Sequence, residues 1–305
     1  MAIEPSHPVL RETVSARLLS EDSLRAFSTF VDDADYFRYW LHGDGVSDNV
    51  LLLSLYHPRF GDLWGNGGQA SMERRFPGLL TSTEEDWNMS FRLDRTAIRA
   101  AGPGAAADLA KRLSLLRRHL LSAPIERAFN GILTNQPTAP CIIQYRLEDK
   151  MWVIPEGSDR VTIVYEVNYQ DFNDTNLAHI FLNEFKDVKG HIKNSPTITY
   201  SQAAPALVAS RRPGTPSAGF MTITFLKAQM TDVETQATWL STFKQYLTYH
   251  IQSLKTYLRM GMRRKTEFLL TELRHAVPET AEPKSFKRLR GTKTMREETK
   301  IVYNF

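Results

Sequence analysis

The sequence predicts an α+β fold of two tandem, similar units, each an antiparallel-rich sheet followed by a long helix, with an extended C-terminal helix and a basic tail. Three observations predict it. Aromatic and aliphatic runs of strand length, bounded by Gly, Asp and Pro, occur in two groups. Each group is followed by a segment whose apolar residues step by three and four, the period of one helix face. Between the groups lies Asn135-Gln136-Pro137-Thr138-Ala139-Pro140, which has the composition of a linker. The expected units are therefore residues 1–134 and 135–305, with the long helix over 231–275 and the tail over 276–305.

In the first unit, residues 8–93 read as strands with interruptions. Tyr36-Phe37-Arg38-Tyr39-Trp40-Leu41 is flanked by Asp32-Asp33 and by His42-Gly43-Asp44-Gly45, and Val50-Leu51-Leu52-Leu53-Ser54-Leu55 follows at strand length. The glycine-rich stretch from Gly61 to Gly68 reads as a loop. Trp87-Asn88-Met89-Ser90-Phe91-Arg92-Leu93 alternates apolar and polar residues, as a half-buried strand does. After Gly102-Pro103-Gly104, residues 105–129 predict one helix, with a stripe at Leu109, Leu113, Leu116, Leu120 and Leu121 and a point of kinking or division at Pro124.

The second unit repeats the plan. Ile142-Ile143-Gln144-Tyr145, Met151-Trp152-Val153-Ile154 and Val161-Thr162-Ile163-Val164-Tyr165 predict a meander, with turn chemistry at Glu148-Asp149-Lys150 and Pro155-Glu156-Gly157-Ser158-Asp159. Further strands are expected at 177–185, 197–200 and 220–225, and a Pro-rich loop at 203–217. Residues 231–275 contain no Pro and one Gly, and Leu240, Phe243, Leu247, Ile251, Leu254, Leu258 and Met262 step by three or four. Such a helix would be about 65 Å long, at about 1.5 Å per residue, so part of it must pack on something beyond its own sheet.

Composition narrows the class. With 42% hydrophobic and 24% charged residues, the chain suits a folded protein with two cores. One cysteine, Cys141, allows no internal disulfide. The N-terminus lacks the basic and apolar regions of a signal peptide, and no run reaches the length of a membrane span, so the expectation is a cytoplasmic protein. Twelve basic and four acidic residues fall between Lys255 and Arg296, leaving a mildly acidic body and a basic end that calls for an acidic partner.

Patterns that carry chemistry are missing. Gly43-Asp44-Gly45 lacks the third glycine of a dinucleotide loop, and the stretch from Gly61 to Gly68 lacks the Gly-Lys-Ser/Thr of a phosphate loop. No serine has the flanking glycines of a nucleophile elbow, and no histidines share zinc-site spacing. Cys141 opens an apolar strand and reads as a small buried hydrophobe. Asp171, Asn173 and Asp174 lack the glycine and glutamate of a calcium loop and read as a polar turn; His250 reads as a satisfied core histidine. Neither an enzyme nor a cofactor or metal site is expected.

The run Ser158-Asp159-Arg160-Val161-Thr162-Ile163-Val164-Tyr165 is followed by Phe181-Leu182-Asn183-Glu184-Phe185-Lys186 and by Phe243-Lys244-Gln245-Tyr246-Leu247-Thr248-Tyr249-His250-Ile251. With Arg259-Met260-Gly261-Met262-Arg263-Arg264-Lys265 and Phe286-Lys287-Arg288-Leu289-Arg290-Gly291, these resemble the subunit 2 family of the actin-related protein 2/3 complex. The likeness covers residues 142–291 in order and extends weakly toward the N-terminus; the Gly61 to Gly68 stretch, residues 203–217 and the end beyond Gly291 depart from it. The resemblance implies two similar α/β domains and a long C-terminal helix lying along the equivalent helix of subunit 4. It implies a non-catalytic core subunit of a seven-subunit nucleator that carries the actin-related proteins, sits on the side of a pre-existing actin filament and supports branching. ATP would bind the actin-related subunits.

Two sets of residues follow. Leu240, Phe243, Leu247, Ile251, Leu254 and Leu258 are the expected partner-helix interface. Charge, together with the family's use of this end, marks Lys255, Arg259, Arg263, Arg264, Lys284, Lys287, Arg288 and Arg290 as expected filament contacts. The rival reading is a module that binds nucleic acid or an anionic membrane through the basic tail. Against it stands the lack of basic and aromatic residues interleaved on a sheet.

Overall fold

The computed structural model describes residues 4–146, 149–187, 195–208 and 218–275. Two five-stranded antiparallel sheets organise them. The first half runs α1 (Pro8–Leu19), β1 (Ser28–Asp32), β2 (Arg38–Gly43), β3 (Val50–Tyr56), α2 (Phe60–Leu63), α3 (Gln69–Arg75), β4 (Leu80–Thr81), β5 (Met89–Asp94), α4 (Arg95–Ala100), α5 (Pro103–Leu113) and α6 (Leu116–Leu133). The second runs β6 (Cys141–Gln144), β7 (Lys150–Glu156), β8 (Arg160–Val167), α7 (Phe172–Asp187), β9 (Thr197–Ser201), β10 (Gly219–Leu226) and α8 (Val233–His275).

The sheets share one plan. Their orders are β1-β2-β3-β5-β4 and β6-β7-β8-β10-β9, so in each the fourth strand lies at the edge and the fifth returns beside the third. Helical segments fill equivalent places: α2 and α3 follow the third strand of the first sheet, α7 that of the second. Period-two alternation sends Tyr39, Leu41, Leu51, Leu53, Phe91 and Leu93 to the inner face of the first sheet, all buried. Met151, Val153, Ile163, Tyr165, Met221 and Ile223 do the same in the second.

The buried side chains of both sheets join one continuous core, with α6 as its centre. Residues 116–126 of α6 are all buried, including Arg117, Arg118, His119 and Glu126, and a helix surrounded on all sides has no solvent face. Phe129 of α6 meets Phe225 of β10 with ring centres 5.1 Å apart. A small separate cluster, Trp152, Val164, Val208 and Phe220, covers the other face of the second sheet.

Four elements differ from the sequence reading. Residues 8–19 form helix α1 rather than strand: Leu10, Val14 and Leu18 are buried at four-residue steps, and Nδ1 of His7 accepts the Leu10 amide at 3.1 Å. The stretch from Gly61 to Gly68 is helical, with a π-turn over Trp64–Gly68, and two of its glycines, Gly67 and Gly68, serve close packing. A Cβ on Gly68 would stand 2.6 Å from the Leu63 carbonyl oxygen, and Gly67 (φ 111°) lies against α6. The helix expected over 105–129 is two helices, broken at Ser114, whose hydroxyl bonds Lys111 O and Ser6 Oγ, each at 2.7 Å. Pro124 sits inside α6 without ending it. Residues 177–185, expected as strand, lie within helix α7, whose Ala178 and Leu182 are buried four residues apart.

Candidate partner-binding helix and its anchorage

Helix α8 has a buried root and an exposed shaft. In the root, Ala237, Leu240, Phe243, Leu247 and Ile251 are buried. The Phe243 ring lies 5.0 Å from that of Tyr165, whose hydroxyl donates to Leu240 O at 2.8 Å. Four of the six expected interface positions therefore pack within this chain, and the stripe leaves the core after Ile251.

Polar locks fix the root on its other sides. Arg118 of α6 reaches Glu234 (3.0 Å) and Thr238 Oγ1 (2.7 Å), and Arg75 of α3 joins Glu234 (3.0 Å) to Glu126 (3.1 Å). Lys244 Nζ meets Asp149 at 3.0 Å, donates to Asn168 O at 2.8 Å and stands 4.1 Å over the Tyr169 ring. Burial pulls the Lys244 ammonium down, more strongly than Asp149 holds it up, and raises the Asp149 carboxyl above the usual carboxylate range despite Lys244. Asp35, at a left-handed φ of 60°, receives Arg117 (3.2 Å), Arg146 (2.6 Å) and Gln245 (3.5 Å). His57 lies between the carbonyls of Asp35 (3.1 Å) and Tyr145 (3.3 Å), and burial lowers its pKa.

The shaft is bare. From Gln252 to Arg274 every side chain is exposed except Lys255. Leu254 (37%), Leu258 (48%), Met262 (69%), Leu269 (59%) and Leu273 (63%) carry the root's stripe outward, and Tyr257 and Phe268 widen it. At about 100° per residue, Arg259 and Arg263 border one side of the stripe and Arg264 the other, while Lys265 and Glu272 interrupt it.

The expected filament contacts fall into three situations. Lys255 is held at 2.7 Å by both Asp171 and Asp174 at the start of α7, the polar turn read from the sequence. Arg263 pairs with Glu267 at 3.0 Å, whereas Arg259 and Arg264 are exposed without an ion pair among the described residues. Lys284, Lys287, Arg288 and Arg290 lie outside the described residues.

The ionic locks were missed by sequence reading, although Arg117-Arg118-His119 inside a leucine stripe was a signal that α6 carries buried charge. Cys141 is half-buried at the start of β6, and burial pushes its thiol up to about 11. His250 is half-buried, its ring stacked on Phe181 at 5.7 Å and set 4.2 Å from Tyr246. Among the described residues no helix is long and apolar enough to cross a membrane, and no group of three or more His, Cys, Asp or Glu could hold a metal ion.

Known proteins share much of this sequence. The family model described as Arp2/3 complex, 34 kD subunit p34-Arc, matches residues 53–280, a span that includes all of α8. The chain is 33% identical over 250 residues to actin-related protein 2/3 complex subunit 2 of Dictyostelium discoideum, covering 77% of this chain and 83% of the relative. It is 26% identical over 279 residues to subunit 2A of Arabidopsis thaliana, covering 84% of this chain and 86% of that protein. The family match spans the end of the first sheet, the whole of the second and the shaft that the fold leaves uncovered, and the chain belongs to the P34-Arc family of Arp2/3 complex 34 kD subunits.

Proposed function

We propose that this chain is a non-catalytic structural subunit of an Arp2/3 complex, acting in the cytoplasmic actin cytoskeleton with the remaining subunits, the actin-related proteins among them. Residues 1–134 and 135–305 are its two repeated units. The shaft of α8 lies along a helix of subunit 4, through Leu254, Leu258 and the apolar positions beyond them. The basic side of the shaft, with Lys284, Lys287, Arg288 and Arg290, faces the side of a pre-existing actin filament, and the assembly supports branched nucleation.

One observation carries this reading. The stripe is buried through Ile251 and then continues exposed for about six helical turns, at about 3.6 residues per turn. A helix that has finished packing on its own domain has no intramolecular reason to extend a leucine stripe into water, where apolar area costs about 25 cal/mol per Å² relative to burial. A second helix is the natural cover, by ridges-into-grooves packing.

Coexpression with subunit 4 tests the pairing. The full chain should copurify with it in stoichiometric amount, and a chain ending at Ser253 should fold yet fail to do so. Copurification of the shortened chain at full yield would move the interface elsewhere. Cosedimentation of the assembled complex with filamentous actin, set against gel shift with DNA or RNA, separates the filament reading from nucleic-acid binding. Salt sensitivity alone would not, since both weaken as salt rises.

A further inference from the structure

The outer face of the first sheet carries an aromatic surface far in sequence from α8. Strand register sets Phe30 opposite Trp40, and places Trp40, His42 and Tyr56 on the same outward face. Trp87 reaches this face from the segment before β5, where the left-handed φ of 65° at Asp86 turns the chain. The rings form a continuous stack: Phe30 to Trp40 at 5.7 Å and 13°, Trp40 to Trp87 at 5.6 Å and 29°, Phe30 to Trp87 at 6.3 Å and 17°. His42 lies against Trp40 at 3.7 Å, and Tyr56 meets Trp87 edge-on at 6.4 Å. Phe30 remains 62% exposed and Tyr56 38%.

The unpaired charge adjoining Trp87 has one sign. Glu84, Glu85 and Asp86 immediately precede Trp87, are exposed, and have no ion pair among the described residues. The two strand cations of this face are already neutralised, Arg38 by Asp32 at 2.7 Å and Arg92 by Asp44 at 3.7 Å. Aromatic faces are themselves electronegative and attract guanidinium and ammonium groups. Single-stranded nucleic acid also stacks on aromatic platforms, but requires a positive groove for its phosphates, and this border is negative.

We propose that the outer face of the first sheet is a docking site for an arginine-rich segment of a partner protein, with guanidinium groups lying over Trp40, Trp87 and Phe30 and paired at the border with Glu84, Glu85 and Asp86. Charge complementarity selects this occupant. The surface is separate from the α8 shaft, so its failure would leave the subunit 4 pairing intact.

The test is fluorescence anisotropy with the full-length chain and a labelled peptide of alternating Arg and Gly, beside the same peptide with citrulline for arginine. The arginine peptide should bind and the citrulline peptide should not. Trp87→Leu keeps apolar bulk but removes the π face, and should weaken binding about two- to fivefold. The triple variant Glu84→Gln, Glu85→Gln, Asp86→Asn alters only exposed side chains, so it keeps the test valid if Trp87→Leu folds poorly. It should weaken binding at least as much and flatten the salt dependence. Equal binding by wild type and both variants would place the contact elsewhere and overturn the proposal, as would equal binding of the citrulline peptide or no binding at all. Binding of a single-stranded RNA oligomer in preference to the peptide, lost in Trp87→Leu, would overturn it in favour of nucleic acid.

Discussion

Leu258→Asp separates folding from assembly on one helix. Leu258 is 48% exposed in the chain by itself, so about half of its side chain remains to be removed from water on docking. Full burial of a leucine is worth about 1.5–3 kcal/mol, so truncating this one forfeits roughly 0.7–1.5 kcal/mol of interface. The carboxylate does more damage than the lost leucine, since an unpaired charge in a desolvated contact costs about 3–5 kcal/mol. Together they predict a loss of affinity for subunit 4 on the order of a thousandfold or more. The fold of the free chain should hardly notice, because exposed substitutions fall within about 0.5 kcal/mol. Leu247→Asp is the internal control: with 0% exposure, its carboxylate enters the core, and unfolding should precede any question of binding. The assay is copurification of the coexpressed pair, with the thermal midpoint of each chain measured alone. Undiminished copurification of Leu258→Asp would refute the interface, and a large drop in its own midpoint would mean that the shaft folds back onto the body.

Lys244→Met strands the buried carboxylate of Asp149 and should cost about 3–5 kcal/mol by urea unfolding; adding Asp149→Asn should recover most of it, because burial disfavours both charges. Burial, reinforced by Arg75 and Arg118, pulls the His119 imidazole down to about 2. Its folded pKa thus lies below the unfolded value, so the unfolded state takes up the proton first on acidification. Stability from this group is intact above about pH 6.5 and falls by about 1.4 kcal/mol per unit below it. His119→Asn should flatten the acid side of a stability–pH curve measured between pH 7 and 5, and an unchanged slope would show another group to be responsible. Changing Lys284, Lys287, Arg288 and Arg290 together to Ala removes about 0.2–1 kcal/mol per pair, a loss of filament affinity of about 4- to 900-fold by cosedimentation, with assembly preserved.

What the sequence disclosed, and what it hid, has a physical pattern. The meander of β6 to β8 was legible because three apolar runs are separated by tight turn chemistry, and α8 because its stripe persists without Pro. α7 was misread because Leu177, Ile180, Phe181 and Leu182 look like a strand run, while the helical pairing of Ala178 with Leu182 is short. α1 carried Pro at its first position and Leu10, Val14 and Leu18 in register, a signal overshadowed by the aromatic strands after it. Gly67 and Gly68 imitated a loop because a glycine required for close packing on α6 and a glycine required for a turn are the same letter. The end of the buried stripe at Ile251 could not be read at all. Leu247 and Leu258 occupy one helical face and one residue type, and only the extent of α6, α7 and the second sheet decides which is covered.

The contrast between a clamped root and a bare shaft also gives α8 mechanical leverage. From Ile251 to the last described residue the helix rises about 36 Å, at about 1.5 Å per residue. A tilt of roughly 2° at the root, the scale of a rearranged side-chain contact, would carry the far end about 1.3 Å sideways over that length. The grips of Arg118 on Glu234 and of Lys244 on Asp149 are thus geared: a sub-ångström adjustment beside α6 reaches the distal turns as a displacement that close-packed side chains register. Whatever rests on those turns inherits its aim from ion pairs in the body of this chain, well away from its own contacts.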